Sequence, residues 1–491
     1  MFVKRASGDV ATFPRVCMLP LNAAVRALLG VAVALLSVTH SVQGQGTALT
    51  PHDQLARDLL AELININTTH DHGSTTPAAQ AMGRRLVAAG FPDSDVVIVG
   101  PAESRNQNLV ARLRGTGKRR PILLLAHLDV VEALRSDWSV DPFTLLERDG
   151  YFYGRGTSDI KDMGALFVAA LIRLKQEKFV PDRDIILALT AGEESGGDYN
   201  GVQWLLANKR ALIDAAYCIN GDAGDPLERN RIPFARNVEA SEKVYHDFQL
   251  VVTNPGGHSS LPTPDNAIYR LAAALQRLGS YAFPVMLNDI TRAYLDRAAA
   301  TMPPVIAGDM RLAARGDSAA QSRLSGVGPF FNAQLRTTCV ATRLEGGHAN
   351  NALPQTARAV VNCRMLPGHD PDSVLATLRR VVADSAVRVT PLDTASPSPP
   401  SPLVAEVLDP VTRITAQLWP GVPVIPNMET GATDGLFLRN AGMPVYGVSG
   451  VFLDADDIRA HGKDERIGVL EYYRGGEFTY RLVKALGGGR L

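Results

Sequence analysis

The chain has 491 residues, of which 46% are hydrophobic and 20% charged, and its 50 Lys and Arg residues balance its 50 Asp and Glu residues. These values are typical of a folded globular protein and exclude a disordered chain, a collagen and a strongly basic nucleic-acid-binding protein. The neutral balance gives no sign of a nucleic-acid or membrane partner. At about 150 residues per domain, the length predicts two or three domains.

Residues 1–44 have the order of an export signal. Arg15 and Arg26 precede an apolar run over residues 27–38, and polar and small residues follow up to Gly44. This run is shorter than the roughly 20 residues that a bilayer-spanning helix needs, so a cleaved signal is favoured over a permanent anchor. We therefore expect an exported protein, periplasmic or secreted, with no stable membrane span after the signal is removed. Met18 is an alternative start.

The four cysteines are far apart, and no two of them form a Cys-x-x-Cys pair, so a cysteine zinc site or redox motif is not expected. If the signal is removed, Cys17 leaves with it. A single disulfide among Cys218, Cys339 and Cys363 stays open.

Apolar spacing then gives the elements in chain order. Between Leu55 and Gly90 the apolar residues recur at helical spacing. Short apolar runs follow and predict strands, with a helical run at 163–178 between the last two. The predicted strands are 96–100, 108–113, 121–126 and 184–191. Strands that alternate with helices predict an α/β sheet covered by helices on both faces.

A second region begins near Val244 and has the content of a small α+β domain. It alternates predicted strands and helices. These are a strand at 246–253, a helix at 266–278, a strand at 357–365 and a helix at 371–383. A polar segment at 311–328 reads as a loop or loose helix.

The stretch from Pro391 to Pro402 is rich in Pro and Ser and predicts an extended linker. The α/β pattern resumes after it, and neither outer part alone supplies a complete sheet. We therefore predict an α/β domain, residues 45–243 and 395–491, interrupted by a smaller α+β domain, residues 244–394.

Polar residues directly follow several of the apolar runs. His127 and Asp129 come after the run at 121–126, and residues two apart in an extended chain point to the same face. A metal-binding histidine usually donates its other ring proton to a carboxylate. This pair therefore predicts a metal ligand, His127, that Asp129 orients; a structural histidine at a strand end is the alternative.

Further acids occupy similar places. Asp159 lies in a glycine-rich turn before a helix, where a helix N-cap is the alternative. Glu193 and Glu194 are neighbours in a glycine-flanked turn, and they repel each other unless a cation or a proton lies between them. A solvated loop is the alternative for this pair. Asp222 follows another apolar run, and His461 lies in a polar turn before the last helix.

Ligands that follow successive strands gather at the carboxyl edge of an α/β sheet. Two imidazoles and three carboxylates suit two zinc ions that share one bridging carboxylate. Two metal ions about 3.5 to 4 Å apart can activate a bridging water and polarise the carbonyl that it attacks. Glu193, next to a ligand, is then the predicted general base. The predicted ligands are His127, Asp159, Glu194, Asp222 and His461.

Eight segments agree with one family in order and approximate spacing: AHLDVV, YGRGTSD, GEES, NGD, GGHSS, NNALP, GATD and AHGKDE. Over nearly the whole chain after the signal, the sequence resembles the two-zinc exopeptidases and deacylases. These include bacterial glutamate carboxypeptidase, carboxypeptidase S, acetylornithine deacetylase, succinyl-diaminopimelate desuccinylase and carnosine-type dipeptidases. The resemblance implies a zinc-exopeptidase catalytic domain with a mixed sheet and an inserted lid that forms a homodimer contact.

The same resemblance assigns the metal ligands. It implies that His127 and Asp222 hold one zinc ion, that Glu194 and His461 hold the other, and that Asp159 bridges them. It implies two Zn²⁺ per subunit, with Co²⁺ or Mn²⁺ as substitutes. Many relatives follow the bridging aspartate with a second aspartate across a cis peptide, whereas Ile160 stands here. Whether this bond is cis stays open.

The resemblance also names substrate-binding residues, most of them in the lid. His258 fits the histidine that polarises the scissile carbonyl, Asn351 fits a lid asparagine, and Arg364 fits the arginine that grips a substrate carboxylate, a task that its planar fork suits. A loop cap for His258 and a surface ion pair for Arg364 are the alternatives. Gly431 and Thr433 are expected to line the substrate pocket.

The predicted function is zinc-dependent hydrolysis of the amide bond of a small peptide next to a free carboxylate, as in a carboxypeptidase or dipeptidase. An N-acyl amino acid deacylase of the same family is the alternative. A non-catalytic metal- or peptide-binding module is a third reading, which Glu193 disfavours because a binding protein needs no base beside the metal.

Overall fold

The computed structural model describes residues 49–194 and 198–490, so the predicted export signal lies outside the described residues. The chain from Thr50 onward forms one compact unit. The helices are α1 (Pro51–Ile64), α2 (Thr75–Ala88), α3 (Lys161–Gln176), α4 (Gly201–Asn208), α5 (Arg210–Ile213), α6 (Ala267–Gly279), α7 (Asp289–Ala298), α8 (Pro304–Ala314), α9 (Ser318–Val327), α10 (Pro329–Leu335), α11 (Pro371–Val382), α12 (Ala405–Leu418), α13 (Gly435–Asn440) and α14 (Val469–Leu486). The strands are β1 (Val96–Val99), β2 (Asn108–Leu113), β3 (Ile122–His127), β4 (Leu146–Arg148), β5 (Tyr151–Tyr153), β6 (Ile185–Thr190), β7 (Cys218–Asn220), β8 (Leu227–Arg229), β9 (Ile232–Glu242), β10 (Val244–Thr253), β11 (Gly257–His258), β12 (Thr338–Gly346), β13 (Ala352–Leu353), β14 (Thr356–Met365), β15 (Val387–Pro391), β16 (Val424–Glu429), β17 (Val445–Gly447), β18 (Leu453–Asp454) and β19 (Arg466–Gly468).

A mixed sheet forms the centre of the molecule. Among the described residues it has ten strands in the order β1-β2-β6-β3-β7-β17-β9-β8-β18, with β16 paired to β9. Strand β3 runs parallel to both of its neighbours, β6 and β7, and β17 runs parallel to β7. Strands β16 to β18 come from the last hundred residues of the chain. The sheet therefore needs both outer parts of the sequence, and the predicted α/β class is confirmed.

The alternation of β3 shows why helices cover both faces of this sheet. Ile122 and Leu124 point into one apolar cluster, to which α1, α2, α3, α12 and α14 contribute. Leu123 and Leu125 point into a second cluster on the opposite face, which α4 and α13 help to form. Every residue of β3 is buried, as expected for a central strand with both faces covered.

A smaller sheet in the order β12-β14-β10-β15 lies within residues 244–394. Strands β10 and β14 pair antiparallel over ten residues, and α6 and α11 pack on the sheet through Leu271 and Leu378. We call residues 244–394 the lid region. Its disulfide joins Cys339 to Cys363, which are directly opposite on β12 and β14. Cys218 is buried and has no disulfide partner in the described part of the chain.

The segment expected to be a loop or loose helix, 311–328, is instead the end of α8 followed by α9. Met310 and Leu324 from these helices pack with Leu295 of α7 in an apolar cluster that also contains Ala235 of β9 and Ile425 of β16. Much of this cluster is alanine, so the apolar periodicity of the segment is weak in the sequence. Residues 289–335 therefore pack against the large sheet rather than on the lid sheet.

The Pro- and Ser-rich stretch has no regular structure after β15, as the linker prediction expects. It is nevertheless fixed to the large sheet, because the Ser401 hydroxyl donates to the Val445 carbonyl at 2.7 Å and accepts from the Val445 amide at 2.9 Å. Across the described residues, helices of the length and apolarity needed to span a bilayer do not occur.

Candidate metal centre

Three neighbouring parallel strands deliver the central polar residues to one edge of the large sheet. His127 is the last residue of β3, Glu193 and Glu194 lie in the turn after β6, and Asp222 lies two residues after β7. Because β6 and β7 flank β3 in parallel, their carboxyl ends meet at the same edge. These residues therefore lie together at one edge of the sheet, as the sequence predicts.

The ring of His127 is fixed by a backbone group. Its Nδ1 lies 2.9 Å from the Asp129 carbonyl oxygen, which can only accept, so Nδ1 carries a proton and Nε2 has a free lone pair in the neutral ring. Nε2 lies 3.3 Å from Asp159 Oδ1 and 3.5 Å from Asp222 Oδ1. Burial lowers the pKa of His127, but Asp222 and Asp159 raise it further, and the net pKa lies well above the ordinary value.

Asp159 lies between the two imidazoles. Its Oδ1 faces His127, and its Oδ2 lies 3.1 Å from Nε2 of His461. Burial raises the pKa of Asp159, but its contacts with the two histidines lower it below its ordinary range. The Asp159–Ile160 peptide is cis, and Asp159 does not cap α3, whose N-cap residue is Ile160.

The remaining ligand candidates lie on either side of Asp159. Glu194 Oε2 is 2.8 Å from His461 Nε2. Hydrogen bonds that His461 donates to Asp159 and Glu194 raise its pKa to about 10. On the other side, burial raises the pKa of Asp222 to about 6, although the charge of His127 opposes this. The five predicted ligands thus form two groups that share Asp159.

Glu193 faces the group that contains Asp222. A carboxylate oxygen of Glu193, a ring nitrogen of His127 and an oxygen of Asp222 all lie within 4.8 Å of one another. Burial, and then repulsion from Asp222, raises the pKa of Glu193 well above its ordinary value. A carboxyl group with a raised pKa takes up a proton readily, which suits proton transfer at this position.

The donor set fits divalent cations. Ligand atoms of His127, Asp159 and Glu194 also lie within 4.8 Å of one another, so these three residues can contact the same ion. Among the described residues, His127 Nε2 and Glu194 Oε1 are buried without a hydrogen-bond partner, which is costly unless something else satisfies them. Imidazole and carboxylate donors with unsatisfied atoms at such distances match the ligands that zinc takes in proteins.

Asp129 supports the site in a way that differs from the prediction. Its carboxylate was expected on the His127 ring, but Oδ1 accepts from the Gly192 amide at 2.8 Å and Oδ2 from the Glu194 amide at 2.9 Å. The backbone carbonyl of Asp129 reaches the ring instead, because a chain that turns after β3 brings this group back to its own histidine. Asp129 therefore fixes both His127 and the turn that carries Glu194.

The predicted lid residues form a separate group. His258 on β11 pairs with Ala352 on β13, next to Asn351, so these two predicted residues are neighbours. His258 Nδ1 accepts from the Ser260 hydroxyl at 2.7 Å. The Arg364 guanidinium lies 4.7 Å from the centre of the Tyr245 ring. Within the described residues, no ion pair or hydrogen bond joins His258, Asn351 or Arg364 to the metal-ligand candidates.

Thr433 and Gly431 lie in the loop between β16 and α13. Thr433 is buried, and its amide and hydroxyl donate to Glu242 at 2.8 and 3.2 Å. Its hydroxyl also accepts from Asn220, two residues before Asp222, so Thr433 lies beside the site. The Gly431 amide donates to Glu429 at 3.3 Å.

The next residue, Asp434, was missed from the sequence although it belongs to the same GATD segment. It is buried and accepts from Asn200 at 2.5 Å. Burial raises the pKa of Asp434 to about 7, and the charges of Asp129 and Asp222 also raise it, so it lies close to the site. An acid in a glycine-containing turn after an apolar strand is the signal that could have found it.

Comparison with known proteins agrees with this geometry. Residues 123–485 match the family described as Peptidase family M20/M25/M40. The chain is 32% identical over 374 residues to N-fatty-acyl-amino acid synthase/hydrolase PM20D1 of Homo sapiens, which covers 74% of each chain. It is 28% identical to probable carboxypeptidase S-like 2 of Dictyostelium discoideum, over 77% of this chain and 74% of that protein.

Among solved structures, the M20 family metallo-carboxypeptidase Sso-CP2 from Sulfolobus solfataricus is similar, with a TM-score of 0.66. The match covers 88% of this chain and 99% of that one at 18% identity, and it shows the shared fold. The chain belongs to Peptidase family M20/M25/M40. It is a hydrolase that acts on amide or peptide bonds.

Proposed function

We propose that this protein is a two-metal hydrolase that cleaves the amide between an acyl group and an amino acid with a free carboxylate. The observation that carries the proposal is the position of Asp159, with one oxygen on His127 and the other on His461. A carboxylate between two such nitrogens suits a bridge between two cations. Zinc is the proposed metal, with Co²⁺ or Mn²⁺ as substitutes.

In this proposal His127 and Asp222 hold one zinc ion, Glu194 and His461 hold the other, and Asp159 bridges them. The bound pair supplies an activated water and polarises the scissile carbonyl. The protein's own residues position the metal ligands. Asp129 keeps Nδ1 of His127 protonated and so aims Nε2 at the metal, and it fixes the turn that carries Glu194.

Glu193 is the proposed catalytic base. It takes a proton from the attacking water and delivers it to the leaving amine nitrogen when the carbon–nitrogen bond breaks. Its proximity to Asp222 and His127 supports this role, because the proton must leave a water held at that group. One carboxyl group thus serves as base and then as acid.

The lid region is proposed to bind the substrate. Arg364 has no carboxylate partner among the described residues and packs on Tyr245, so its guanidinium is available to bind a substrate carboxylate. His258 and Asn351, side by side in the lid, are proposed to contact the scissile amide. Closure of this region onto the large sheet would bring the three residues to the metal centre and exclude water.

Two substrate classes fit this proposal, and they differ in the acyl group on the amide nitrogen. N-acyl amino acids are the first candidate, because the human relative at 32% identity is named for fatty-acyl amino acids. Small peptides are the second candidate, which the carboxypeptidase S-like relative favours. Both classes place an amide next to a free carboxylate and need the same metal centre.

We also propose that the protein is exported and forms a homodimer through the lid region. The disulfide between Cys339 and Cys363 supports export, because such bonds persist in oxidising compartments. Detection of the processed chain in a periplasmic or culture-supernatant fraction tests this part. A chain found only in the cytosol with residues 1–44 intact would contradict it.

The deciding experiment measures metal content and turnover together. Purified protein is analysed for bound metal and assayed with N-acyl amino acids, dipeptides and C-terminally blocked peptides. Close to two metal ions per chain, with turnover lost when the carboxylate is blocked, supports the proposal and ranks the two substrate classes. Less than one metal ion and no turnover after addition of Zn²⁺ or Co²⁺ would favour a binding module.

A further inference from the structure

We propose that Arg155 and Glu465 are positioning residues that join the loop of Asp159 to the loop of His461 and so assemble one of the two metal sites before metal binds. The inference rests on the proposed function, because it assigns ligand roles to Asp159 and His461. These ligands are about three hundred residues apart in the sequence. Strands β5 and β19 pair beside the two loops, with Tyr153 opposite Arg466, but the pairing ends before either ligand is reached. Side-chain contacts extend the connection from this pairing to the ligands themselves.

Glu465 organises the loop that carries Asp159. Its side chain is fully buried, and its carboxylate accepts from three successive parts of that loop. The Gly156 amide donates at 3.0 Å, the Ser158 amide at 2.7 Å and the Asp159 amide at 3.2 Å. One carboxylate therefore sets the backbone path that leads into the proposed bridging ligand.

Arg155 organises the loop that carries His461. It is buried, and its Nη1 donates to Glu465 at 2.6 Å. Its Nη2 donates to the backbone carbonyls of His461 at 3.5 Å and Gly462 at 3.0 Å. The planar guanidinium suits this double contact, since it donates to the two loops from two separate, rigidly held nitrogens, whereas an ammonium group donates from one nitrogen only. We call Arg155 and Glu465 together the loop clamp.

His461 is the ligand candidate that needs such support most. Its side chain is 58% exposed, whereas that of His127 is 2% exposed. Its φ is 61°, a left-handed conformation that residues with a Cβ rarely adopt without help from their surroundings. Arg155 binds the carbonyl of this residue directly, so the clamp holds the backbone that aims the imidazole at Asp159 and Glu194.

The clamp acts on one metal site more than on the other. The site of Glu194, His461 and Asp159 depends on both clamped loops. The site of His127 and Asp222 is built on β3 and β7, and Asp129 fixes His127 without any contact to the clamp. Because this second site shares only the bridging Asp159 with the clamped loops, weakening the clamp should weaken the binding of one metal ion much more than that of the other.

The test uses the full chain with its metals removed and measures the binding of each Co²⁺ ion by calorimetry and visible absorption. Arg155→Lys and Glu465→Gln are compared with the wild type. The dissociation constant of one ion is expected to rise about 10- to 100-fold, as for other residues that orient metal ligands, while that of the other ion rises less. Arg183→Lys, a buried arginine that pairs with Glu406 away from the site, is the matched control.

Amide hydrogen exchange on the metal-free wild type tests the same idea without substitution. The amides of Gly156, Ser158 and Asp159 are expected to be protected before metal is added, because they donate to Glu465. Free exchange of these amides until metal binds would show that the metal orders the loops and would overturn the proposal.

The outcomes separate the two proposals. A wild type that binds no metal overturns the proposed function. A wild type that binds two ions, with variants that bind both as tightly, overturns the clamp alone. Equal weakening of both ions in step with a lower melting temperature also overturns the clamp, because that pattern belongs to general destabilisation.

Discussion

Four carboxyl groups at the sheet edge, those of Asp159, Glu193, Glu194 and Asp222, lie close to only two imidazoles. Without cations such a group can lower its charge only by binding protons. Burial, and then repulsion among the carboxylates, raises the pKa values of Asp222 and Glu193, and the neighbouring carboxylates raise those of both histidines. Metal ions and protons therefore compete for this site.

This competition predicts proton release on metal binding. At pH 7 the metal-free protein holds a proton on each histidine, because the pKa of His461 is about 10 and that of His127 lies well above its ordinary value. Both rings must be neutral to bind metal, so loading should release at least two protons per chain. Calorimetry of Zn²⁺ binding in buffers with different ionisation enthalpies measures this number. No release at pH 7 would contradict the two-histidine site.

Glu193 can be separated from the ligands by one substitution. Glu193→Gln keeps the size of the side chain but cannot accept a proton, so kcat should fall by about 10²- to 10⁴-fold with metal content unchanged. Turnover and metal content are measured on the same sample. Glu62→Gln, at a surface ion pair with Arg85, is the control and should leave both values as in the wild type. Loss of metal in Glu193→Gln would instead make Glu193 a ligand.

For single residues, the sequence predicted which polar residues gather at the site, but it did not predict which groups their side chains contact. The residue types after β3, β6 and β7 pointed to the cluster, since strand ends predict a shared edge. The carboxylate of Asp129 was predicted to contact the His127 ring, yet it binds two amides of the following turn. That contact depends on how two distant loops meet, which spacing along the chain does not encode. Asp434, in contrast, follows an apolar strand in a glycine-containing turn, so the same pattern could have predicted it.

At the level of the secondary-structure elements, a buried lysine lies at the start of β10. Lys243 is fully buried just before this strand, and its Nζ donates to the Arg336 carbonyl at 3.0 Å and the Thr338 hydroxyl at 3.1 Å. Burial, and then the charge of Arg364, lowers the pKa of Lys243 to about 7. This lysine thus joins the first strand of the lid region to the chain that enters β12.

A pH dependence follows from Lys243. An unfolded lysine titrates near pH 10.4, so between about pH 7 and 10 the unfolded chain binds more protons than the folded chain. Folding stability from this residue therefore rises with pH across that window, by up to about 1.4 kcal/mol per pH unit, and the cost of the buried charge is fully present below pH 7.

Lys243→Met removes this dependence. The difference in unfolding free energy between wild type and variant should shift in favour of the wild type from pH 7 to pH 10, as measured by denaturant titration. Other titrating groups are common to both proteins and cancel in the difference. A difference that stays constant over this range would show that Lys243 remains charged when folded.

For the whole molecule, periodicity predicted most of the architecture. The four strands predicted in the first half of the large sheet and the helix between the last two have strong apolar patterns, and the structure has them close to the predicted bounds. The long strand β9 and its neighbours β8, β16 and β18 were not predicted. The segment 311–328, predicted as a loop or loose helix, forms the end of α8 and α9, and alanine fills much of the buried face of these helices. Their place in one cluster with Ala235 of β9 and Ile425 of β16 depends on contacts between residues far apart in the chain, which a local pattern cannot reveal.

The outer edge of the lid sheet bears on the proposed assembly. Strand β12 ends the sheet, and its Val340 and Leu344 are 62% and 68% exposed. Tyr269 on the adjacent α6 is 68% exposed. An unpaired strand edge with exposed apolar side chains invites pairing with another strand, and a second copy of β12 can pair antiparallel about a twofold axis.

Leu344→Lys should therefore disrupt the proposed dimer, because it puts a charged side chain in place of an exposed apolar one on the pairing edge of each copy. Sedimentation velocity over a range of protein concentrations measures the assembly state. Val305→Lys, which changes an 80% exposed valine on α8 away from this edge, is the matched control and should remain dimeric. A wild type that sediments as a monomer at every concentration would contradict the dimer, and a dimer that survives Leu344→Lys would place the contact on another surface.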